Sequence, residues 1–541
     1  MTLLLGHAAN PQDARVLLAQ AWPTDPATRL GRQHAQLDAL LHGVTVYSPD
    51  PAFNALTNHW LPYQALACRL WARAGFYQAG GAYGFRDQLQ DAMSLVNRAP
   101  ALLARQIRIN AARQFPEGDV QHWWHAPGGA GVRTHFSDDL LWLPYACALY
   151  VQRTGDNSLL DESLPFLAGA AVPAGAEDIY ETPQVSDQQG TVYEHAARAI
   201  SHSLRTGAHG LPLFGTGDWN DGMNRVGHLG KGESVWLAWF LCAVVDSFLP
   251  IAKARGDATR VAAWTVARQG WVQALDADGW DGQWYRRGYF DDGSALGAVA
   301  NPECRIDLIA QAWAVLSGAG QPPRARQAMA SAKALLWDEN AHLLRLLHPP
   351  LQHARPSAGY IQAYPAGVRE NGGQYNHAAV WGLMALSQLG DADGAWRVFT
   401  ALSPAHRWAD PARGARYALE PHVMAGDIYS QPPWAGRGGW SWYTGSAGWL
   451  ARAAVESICG VVLAQGQLHI TPGLPSHWPA VRVAVRHAGR LHQVWVCADE
   501  AAANQVLADS PTARRSLLGQ PITLAGLADG SVHLVVANPK P

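Results

Sequence analysis

The hydrophobic positions between about residues 55 and 458 recur three and four residues apart, a spacing that predicts amphipathic helices. Gly-, Pro- and Asn-rich loops of varied length separate these segments. A long series of helices joined by such loops predicts a toroid of helical hairpins. A right-handed solenoid is the alternative, although the chain contains no self-similar repeat of fixed length. The clearest predicted helices span 56–74, 100–114, 139–153, 193–206, 234–254, 258–275, 306–317, 322–337, 376–389 and 443–458.

The pattern changes after about residue 460, where apolar and polar residues alternate with period two. Gly and Pro punctuate this region, and the alternation predicts strands of a small antiparallel sheet domain. Residues 1–50 contain two amphipathic helical segments and a strand-like piece at 44–47, and are predicted to be a linker or helical remnant. The predicted organisation is therefore 1–50, a helical domain over 51–460 and a β-domain over 461–541. The predicted C-terminal strands lie at 467–471, 481–485, 491–496, 520–524 and 531–536.

The composition favours a carbohydrate-binding pocket, because the chain has 24 Trp and 22 His in 541 residues. Several tryptophans stand beside Gly, His or Asp, which favours an aromatic-lined pocket, whereas a large apolar core is the plainer explanation. A net charge of −2 without a long basic run argues against nucleic acid as a partner. No stretch approaches the roughly 18 or more apolar residues of a membrane span, and the N-terminus does not resemble a signal peptide. Six scattered cysteines without a Cys-x-x-Cys pair favour reduced thiols in a cytoplasmic protein and no metal site.

The segment at 210–224, GLPLFGTGDWNDGMN, carries the most chemistry. Its Gly, Asn and Asp content predicts a tight loop that holds Asp218, Trp219 and Asp221. A carboxyl beside an aromatic wall can stay protonated near neutral pH and act as a general acid on a glycosidic oxygen. A structural turn is the alternative, with Asp218 as a cap, Trp219 in the core and Asp221 in solvent.

Four other loops lead into predicted helices. In the Gly-rich approach at 80–91, Arg86 and Asp87 could hold sugar hydroxyls or simply form a helix cap and ion pair. In the segment 133–142, Ser137 or Asp138 stands at an N-cap position. The segments 369–377 and 436–448 supply Arg, His, hydroxyl and backbone N–H groups at helix starts, which favours an oxyanion or phosphate site.

Taken together, these segments closely resemble the inverting phosphorylases of glycoside hydrolase family 94. The resemblance covers about residues 50–480. Three further segments, 117–127, 304–318 and 420–433, are most similar to the β-1,2-glucan branch: the phosphorylase-like module of cyclic β-1,2-glucan synthases and the 1,2-β-oligoglucan phosphorylases. The segments that carry the family resemblance are FRDQLQD (85–91), SDDLLWLP (137–144), GLPLFGTGDWNDGMN (210–224), GESVWLAWF (232–240), RENGGQYNHAAVW (369–381) and WYTGSAGW (442–449).

The resemblance implies an (α/α)6 barrel followed by a small β-sandwich-like domain, and it implies residue roles. Asp221 matches the general acid, and no cofactor is implied beyond inorganic phosphate as co-substrate. The implied phosphate ligands are Arg69, His377, Thr444 and Gly445. The implied substrate-binding residues are Arg86, Asp87, Asp138, Trp219, Arg369 and Glu370.

Phosphate is already an anionic nucleophile, so one acid and a cationic cradle suffice for inverting phosphorolysis. The implied reaction converts a β-linked glucan, most specifically a β-1,2-oligoglucan, and phosphate into α-glucose 1-phosphate. Two departures from the family pattern stand out. The stretch 80–84 lacks an arginine that cellobiose phosphorylases carry, and the chain begins after the expected end of an N-terminal β-sandwich that helps to build the family's dimer.

Two other functions stay open. An inverting hydrolase needs a second carboxylate across the pocket from Asp221, for which Glu303, Asp307, Glu370 and Glu420 are the candidates. A glucan-binding or chain-length-sensing module without turnover is the non-enzymatic alternative. A homodimer is also compatible with the resemblance.

Overall fold

The computed structural model describes residues 3–71, 81–173 and 175–537, and this part of the chain is rich in helices with several short sheets. The α-helices are α1 Pro11–Ala21, α2 Pro26–Leu41, α3 Pro51–Ala55, α4 Leu61–Ala65, α5 Phe85–Met93, α6 Pro100–Ala111, α7 Trp142–Thr154, α8 Val192–His202, α9 Val235–Ala254, α10 Ala258–Ala274, α11 Leu308–Leu316, α12 Pro322–Leu336, α13 Asn376–Gln388, α14 Ala392–Leu402, α15 Pro404–Trp408, α16 Pro411–Tyr417, α17 Ser446–Ala453 and α18 Glu500–Asp509. π-helical stretches cover Leu56–Trp60, Leu66–Trp71, Leu275–Gly279 and Ala454–Ile458, and 3-10 turns cover Asp139–Leu141, Ser158–Asp161, Asp221–Met223 and Tyr360–Ala363.

The strands are short in the helical region and longer towards the C-terminus. They are β1 Val44–Tyr47, β2 Ala82–Gly84, β3 Gln121–His125, β4 Gly131–Thr134, β5 Ser163–Ala168, β6 Asp178–Glu181, β7 Gln184–Thr191, β8 Glu233–Ser234, β9 Gly288–Tyr289, β10 Ala295–Leu296, β11 Ile306–Asp307, β12 Trp337–Asp338, β13 Leu343–Leu344, β14 Leu347–His348, β15 Gln374–Tyr375, β16 Asp427–Ile428, β17 Val461–Ala464, β18 Gln467–Ile470, β19 Ala480–His487, β20 Arg490–Cys497, β21 Arg514–Arg515, β22 Ile522–Thr523 and β23 Ser531–Val536.

Helices α5, α7, α9, α11, α13 and α17 contact one another in that order, and α17 returns to contact α5. A second set packs outside this ring: α6 against α5 and α7, α8 against α7, α10 against α9, α12 against α11, α14 against α13 and α4 against α17. The sequence explains the two positions. In α11 nearly every residue is apolar and buried. In α12 only one face is buried, and it consists of Ala325, Ala328, Met329, Ala332 and Leu336.

Tryptophans fill the centre of this ring. The indole of Trp381 lies 5.0 Å from Trp219, 5.3 Å from Trp313 and 5.7 Å from Trp449, between ring centroids. Trp142 and Trp236 stack on the same indole at 6.4 and 6.2 Å. The expected aromatic-lined pocket therefore accounts for only part of the tryptophans, because this cluster forms the packed floor beneath the site described below.

Helix α9 is apolar enough and long enough, by length and composition, to cross a membrane. The sequence analysis did not single it out for this, because its polar residues interrupt the apolar run. In the described part of the chain no other helix meets this criterion. About 72% of its most apolar window is buried against neighbouring helices, as in a core helix of the ring.

Strands occur at all five segments predicted in the C-terminal region, but they belong to two sheets. β18 pairs antiparallel with β17 and β22 in one sheet, whereas β19, β20 and β23 lie in a second sheet that is mixed and not purely antiparallel. β19 and β20 pair antiparallel, whereas β20 and β23 pair parallel. Helix α18 lies between β20 and β23 in the chain, and such a crossover returns the chain in the same direction. The N-terminal region also contributes, because β1 pairs with β19 in the register Val44↔Val485. Residues 44–47 thus belong to the sheet that the sequence assigned to residues 461–541 alone.

The predicted helix at 56–74 alternates between α and π geometry as far as Trp71, and residues 72–74 lie outside the described residues. Gly80, the first residue of the stretch without the family's arginine, also lies outside them.

Candidate active site

A fully buried ion pair between Asp218 and Arg287 anchors the loop of the 210–224 segment. The Asp218 carboxylate accepts hydrogen bonds from Arg287 Nη2 at 2.6 Å and Ser234 Oγ at 2.8 Å. It also accepts the backbone N–H of Asn220 at 3.0 Å, and the Asn220 side chain caps the 3-10 turn that begins at Asp221. Asp218 is therefore structural, as the turn interpretation proposed. The Asp221 side chain, by contrast, is 36% exposed and lines a cleft.

Arg86, in the first turn of α5, contacts Asp221 directly. Its Nη2 donates to Asp221 Oδ1, and its Nη1 donates to Asp138 Oδ1 at 2.8 Å and to the carbonyl of Asp218 at 2.9 Å. Burial alone would lower the pKa of Arg86, but Asp138, Asp221 and Asp139 together raise it, so the guanidinium stays charged. Arg86 therefore ties the start of α5 to the loop that carries Asp221.

Asp138 is fully buried behind Arg86 and is not one of the residues that line the cleft. Its other oxygen accepts the indole N–H of Trp142 at 3.1 Å. Burial outweighs the attraction of Arg86 and raises the pKa of Asp138 to about 7. This placement makes Asp138 a support for Arg86, in contrast to the sequence prediction that it contacts substrate.

The residues predicted to bind phosphate come together at one end of the cleft. Arg69 lies in the π-helical stretch Leu66–Trp71, where its Nε donates to Asp91 at 2.6 Å and its guanidinium lies 4.2 Å from the centroid of the Tyr443 ring. Burial opposes the charge of Arg69, but its acidic neighbours raise the pKa of this group. A π-bulge of this kind is frequent at functional sites.

His377 and Gly445 are neighbours across the starts of α13 and α17. A Cβ atom built on Gly445 would lie 3.3 Å from His377 Nδ1, and Thr444 Oγ1 accepts the backbone N–H of Ser446 at 3.2 Å. His377 is only 8% exposed, and burial lowers its pKa to about 3, so its imidazole is neutral. Its Nε2 is buried and makes no hydrogen bond to any described residue.

The rest of the cleft lining is aromatic and charged. Trp219 packs edge-on against Tyr375 at 5.5 Å and His377 at 5.3 Å, between centroids. The Arg369 guanidinium lies 4.7 Å from the centroid of Trp440. Burial raises the pKa of Glu370, whose Oε2 has no hydrogen-bond partner among the described residues.

The cleft brings together residues that are far apart in the chain. All the sequence-predicted site residues line it except Asp138. The sequence analysis did not select Tyr375, Trp440 and Tyr443, although each lies inside a segment it had singled out. The lining residues are Arg69, Arg86, Asp87, Trp219, Asp221, Arg369, Glu370, Tyr375, His377, Trp440, Tyr443, Thr444 and Gly445.

The four carboxylates proposed for a hydrolase lie in different places. Glu303 accepts backbone N–H groups of residues 352–354, and Asp307 caps α11 beside Arg287. Glu420 accepts the indole N–H of Trp442 at 3.0 Å. Of the four, Glu370 lines the cleft with Asp221. Within residues 3–71, 81–173 and 175–537, no group of three or more His, Cys, Asp or Glu side chains could hold a metal ion.

The cleft lies where α5, α13 and α17 begin, and it is lined by carboxyl groups, arginines and indoles. A family model described as the glycosyl hydrolase 94 superfamily, catalytic domain, matches residues 37–460. The chain belongs to this superfamily.

Three curated relatives and one solved structure describe its similarities. The chain is 48% identical over 508 residues to cyclic beta-(1,2)-glucan synthase NdvB of Rhizobium meliloti, covering 94% of this chain and 18% of that protein. It is 31% identical to solabiose phosphorylase of Paenibacillus borealis, covering 87% and 57%, and 23% identical to 1,2-beta-oligoglucan phosphorylase of Listeria innocua, covering 78% and 40%. The chain thus spans only part of each of these relatives.

A crystal structure of a GH78 family rhamnosidase of Bacillus sp. GL1 matches with a TM-score of 0.53 and 13% identity, covering 84% of this chain and 42% of that one. At this identity the match describes the fold alone.

Proposed function

We propose that this protein catalyses inverting phosphorolysis of a β-linked glucan with inorganic phosphate. The observation that supports this most is the convergence of Arg69, His377 and the Thr444–Gly445 turn on the cleft that Asp221 lines. These residues come from three distant segments: Arg69 supplies a positive charge, His377 a neutral imidazole, and Thr444–Gly445 the start of α17. Such a set suits a phosphate anion, because hydrogen-bond donors and positive charge at a helix N-terminus favour negative charge.

In the proposed reaction Asp221 protonates the glycosidic oxygen while phosphate attacks the anomeric carbon from the opposite face. The bond to the leaving glucan breaks, and the product is α-glucose 1-phosphate with inverted configuration. Trp219, Asp87 and Arg86 hold the transferred sugar, and Arg369 and Glu370 contact the substrate beside them. Phosphate is the co-substrate, and the reaction as proposed needs no other cofactor or metal.

We further propose β-1,2-oligoglucan as the substrate. The support is the 48% identity to a cyclic β-(1,2)-glucan synthase together with the more distant 1,2-β-oligoglucan phosphorylase. We also propose that the helical ring is the family's (α/α)6 barrel over residues 51–460, that residues 461–541 form its C-terminal β-domain, and that the protein acts in the cytoplasm, with a homodimer as one possible assembly.

The decisive experiment incubates the purified protein with β-1,2-glucooligosaccharides, with and without inorganic phosphate. We expect glucose 1-phosphate that depends on phosphate and falls about 100-fold or more in Asp221→Asn, because the loss of a general acid typically costs that much. Gln520→Asn, an exposed amide in the C-terminal region, is a control for handling of a variant. Cellobiose and laminaribiose in parallel reactions test the linkage.

An inverting hydrolase is the second candidate, since Glu370 lines the same cleft as Asp221. It predicts free reducing sugar without phosphate and its loss in Glu370→Gln. Binding of the oligosaccharide without any product would instead indicate the non-catalytic glucan-binding module.

A further inference from the structure

His122, on strand β3, lies beside Asp221 and is not one of the residues that line the cleft. Its Nδ1 lies 2.7 Å from Asp139 Oδ2, and its Nε2 faces Asp221 Oδ2 at 3.8 Å. The ring is held by the edge of Phe136 at 4.4 Å between centroids, and its side chain is only 16% exposed. Asp139, His122 and Asp221 therefore form a chain that leads from a buried carboxylate to the carboxyl in the cleft.

This arrangement assigns different duties to the two ring nitrogens. A carboxylate at 2.7 Å is an acceptor, so Nδ1 carries a hydrogen and donates it to Asp139. Nε2 is then the nitrogen that can gain or lose a proton, and the nearest acidic group to it is Asp221. A separation of 3.8 Å is longer than a hydrogen bond, but catalytic hydrogen bonds are often long before substrate binds.

Three charged groups face the imidazole: Asp139, Asp221 and Arg86. Burial opposes the charged form, as does Arg86, but the two carboxylates outweigh both and raise the pKa of His122 above its ordinary value. Since the imidazolium is favoured, the pair formed by His122 and Asp221 retains a proton to higher pH than an isolated imidazole would.

We propose that His122 is the proton-relay residue that keeps Asp221 supplied with the proton it donates. The inference rests on the proposed function. When the glucan leaves, Asp221 has given its proton to the leaving oxygen and is a carboxylate. The Nε2–H of the imidazolium then moves to Asp221 Oδ2, which leaves neutral His122 and a protonated acid. The hydrogen phosphate that becomes glucose 1-phosphate releases its proton to solvent, and His122 takes up one proton from solvent, so the turnover consumes none. Asp139 keeps the ring oriented with its Nδ1–H in place.

The matched variants are His122→Asn and His125→Asn. Asparagine can still donate to Asp139 from a position near Nδ1, but it has no atom in the place of Nε2. His125 lies on the same strand β3 and has no charged partner among the described side-chain contacts, so its replacement is the control.

The kinetic readout is the pH profile of kcat/KM for phosphorolysis at one total phosphate concentration, so that the titration of phosphate itself is common to every profile. We expect His122→Asn to lose about 100-fold in kcat/KM at pH 7 and to move the alkaline limb to lower pH by about one unit or more, because in the wild type the carboxyl–imidazole pair sets that limb. His125→Asn should keep the wild-type limb. A rate that falls equally at every pH in His122→Asn would mean that His122 only shapes the site, and would overturn the proposal.

A second readout needs no turnover. In ¹⁵N spectra of the resting protein, the His122 ring signals, assigned by their loss in His122→Asn, should titrate above 6.5, the ordinary value of histidine. Asp139→Asn should lower that midpoint. A midpoint below 6.5 in the wild type refutes the relay whatever the activity. If the wild type makes no glucose 1-phosphate from any β-glucan while His122 titrates as expected, the proposed function fails and only the proton-holding pair stands.

Discussion

Replacement of Arg287 by methionine tests whether the loop that carries Asp221 depends on a buried charge. Arg287 is fully buried, and besides its bond to Asp218 it donates to Ser234 Oγ at 3.2 Å and lies 3.5 Å from Asp307 Oδ2. Methionine fills much of the same volume without the guanidinium. The variant therefore keeps two buried carboxyl groups and removes the cation between them.

The expected cost is about 3 to 5 kcal/mol of unfolding free energy, the range for removing one partner of a buried ion pair. The cost should also depend on pH. Burial already raises the pKa of Asp307 to about 6, although Arg287 opposes this shift. Removal of the Arg287 guanidinium should raise the pKa of Asp307 further. A folded-state pKa above the unfolded one means that the folded protein binds more protons in that window, so stability falls as pH rises through it. The variant should lose more stability at pH 8 than at pH 5.

The assay is urea unfolding followed by tryptophan fluorescence at pH 5 and pH 8. The second variant combines Arg287→Met with Asp218→Asn and should recover about 1 kcal/mol or more, because contacting residues couple by that order. Arg437→Met, at an exposed arginine, is the matched control and should stay within about 0.5 kcal/mol of the wild type. A loss below about 1 kcal/mol that is equal at both pH values would refute the reasoning.

Three further predictions concern the cleft and its supports. His377→Ala should raise the KM for phosphate about 10-fold, which corresponds to the loss of one good hydrogen bond, and His377→Asn should raise it less. The KM is measured from initial rates at varied phosphate concentration. A KM equal to that of the wild type in both variants would contradict phosphate binding by His377. Asp427, whose Oδ2 accepts the backbone N–H of Arg369, has its pKa raised to about 7 by burial, so the wild type loses stability as pH rises from about 4 to 7. Asp427→Asn should flatten that slope in urea midpoints, and an unchanged slope would refute it. Gly439→Ala should lower the free energy of unfolding by about 1 to 3 kcal/mol, because the added Cβ would lie 1.8 Å from Asp427 Oδ1. The control is Gly31→Ala, whose Cβ would have no atom within 4 Å and which should not destabilise the protein. Equal urea midpoints for the two variants would disprove the clash.

Periodicity predicted the inner helices well because each buries a continuous apolar surface. The predictions 234–254 and 376–389 differ from α9 and α13 by a residue at their ends. The segment 56–74 was less predictable. A π-helical insertion adds one residue to a turn and hardly changes the spacing of apolar positions along the sequence. The pattern around Arg69 therefore predicts an ordinary α-helix.

The two-stranded antiparallel sheet of β5 and β7, and helices α14 to α16, were not predicted. β7 has no buried residue and β5 buries only the adjacent pair Phe166 and Leu167, whereas the period-two signal needs one buried face. Likewise β1 was visible as a strand-like piece, but its pairing with β19, more than 430 residues away, depends on tertiary contacts that no local pattern contains.

A residue's place in the cleft was predictable where its own sequence segment is distinctive. Its contacts with residues far away in the chain were not. Asp221 and Trp219 stood out because the loop itself is distinctive. Arg86 did not reveal that it pairs with Asp221, because the two are 135 residues apart. His122 lies in a segment used for the resemblance, yet nothing local indicates that its imidazole stands between two carboxylates.

The charged groups around Arg86 include more acidic than basic side chains. Arg86 and His122 face three carboxyl groups, Asp138, Asp139 and Asp221, so full ionisation would leave the cluster one negative charge in excess. The pKa of Asp138 near 7 shows that burial already favours a retained proton there. In the proposed reaction a phosphate dianion in the cleft adds like charge, which favours the protonated form of any nearby carboxyl. The nucleophile would then help to keep the acid protonated, whereas water brings no such charge.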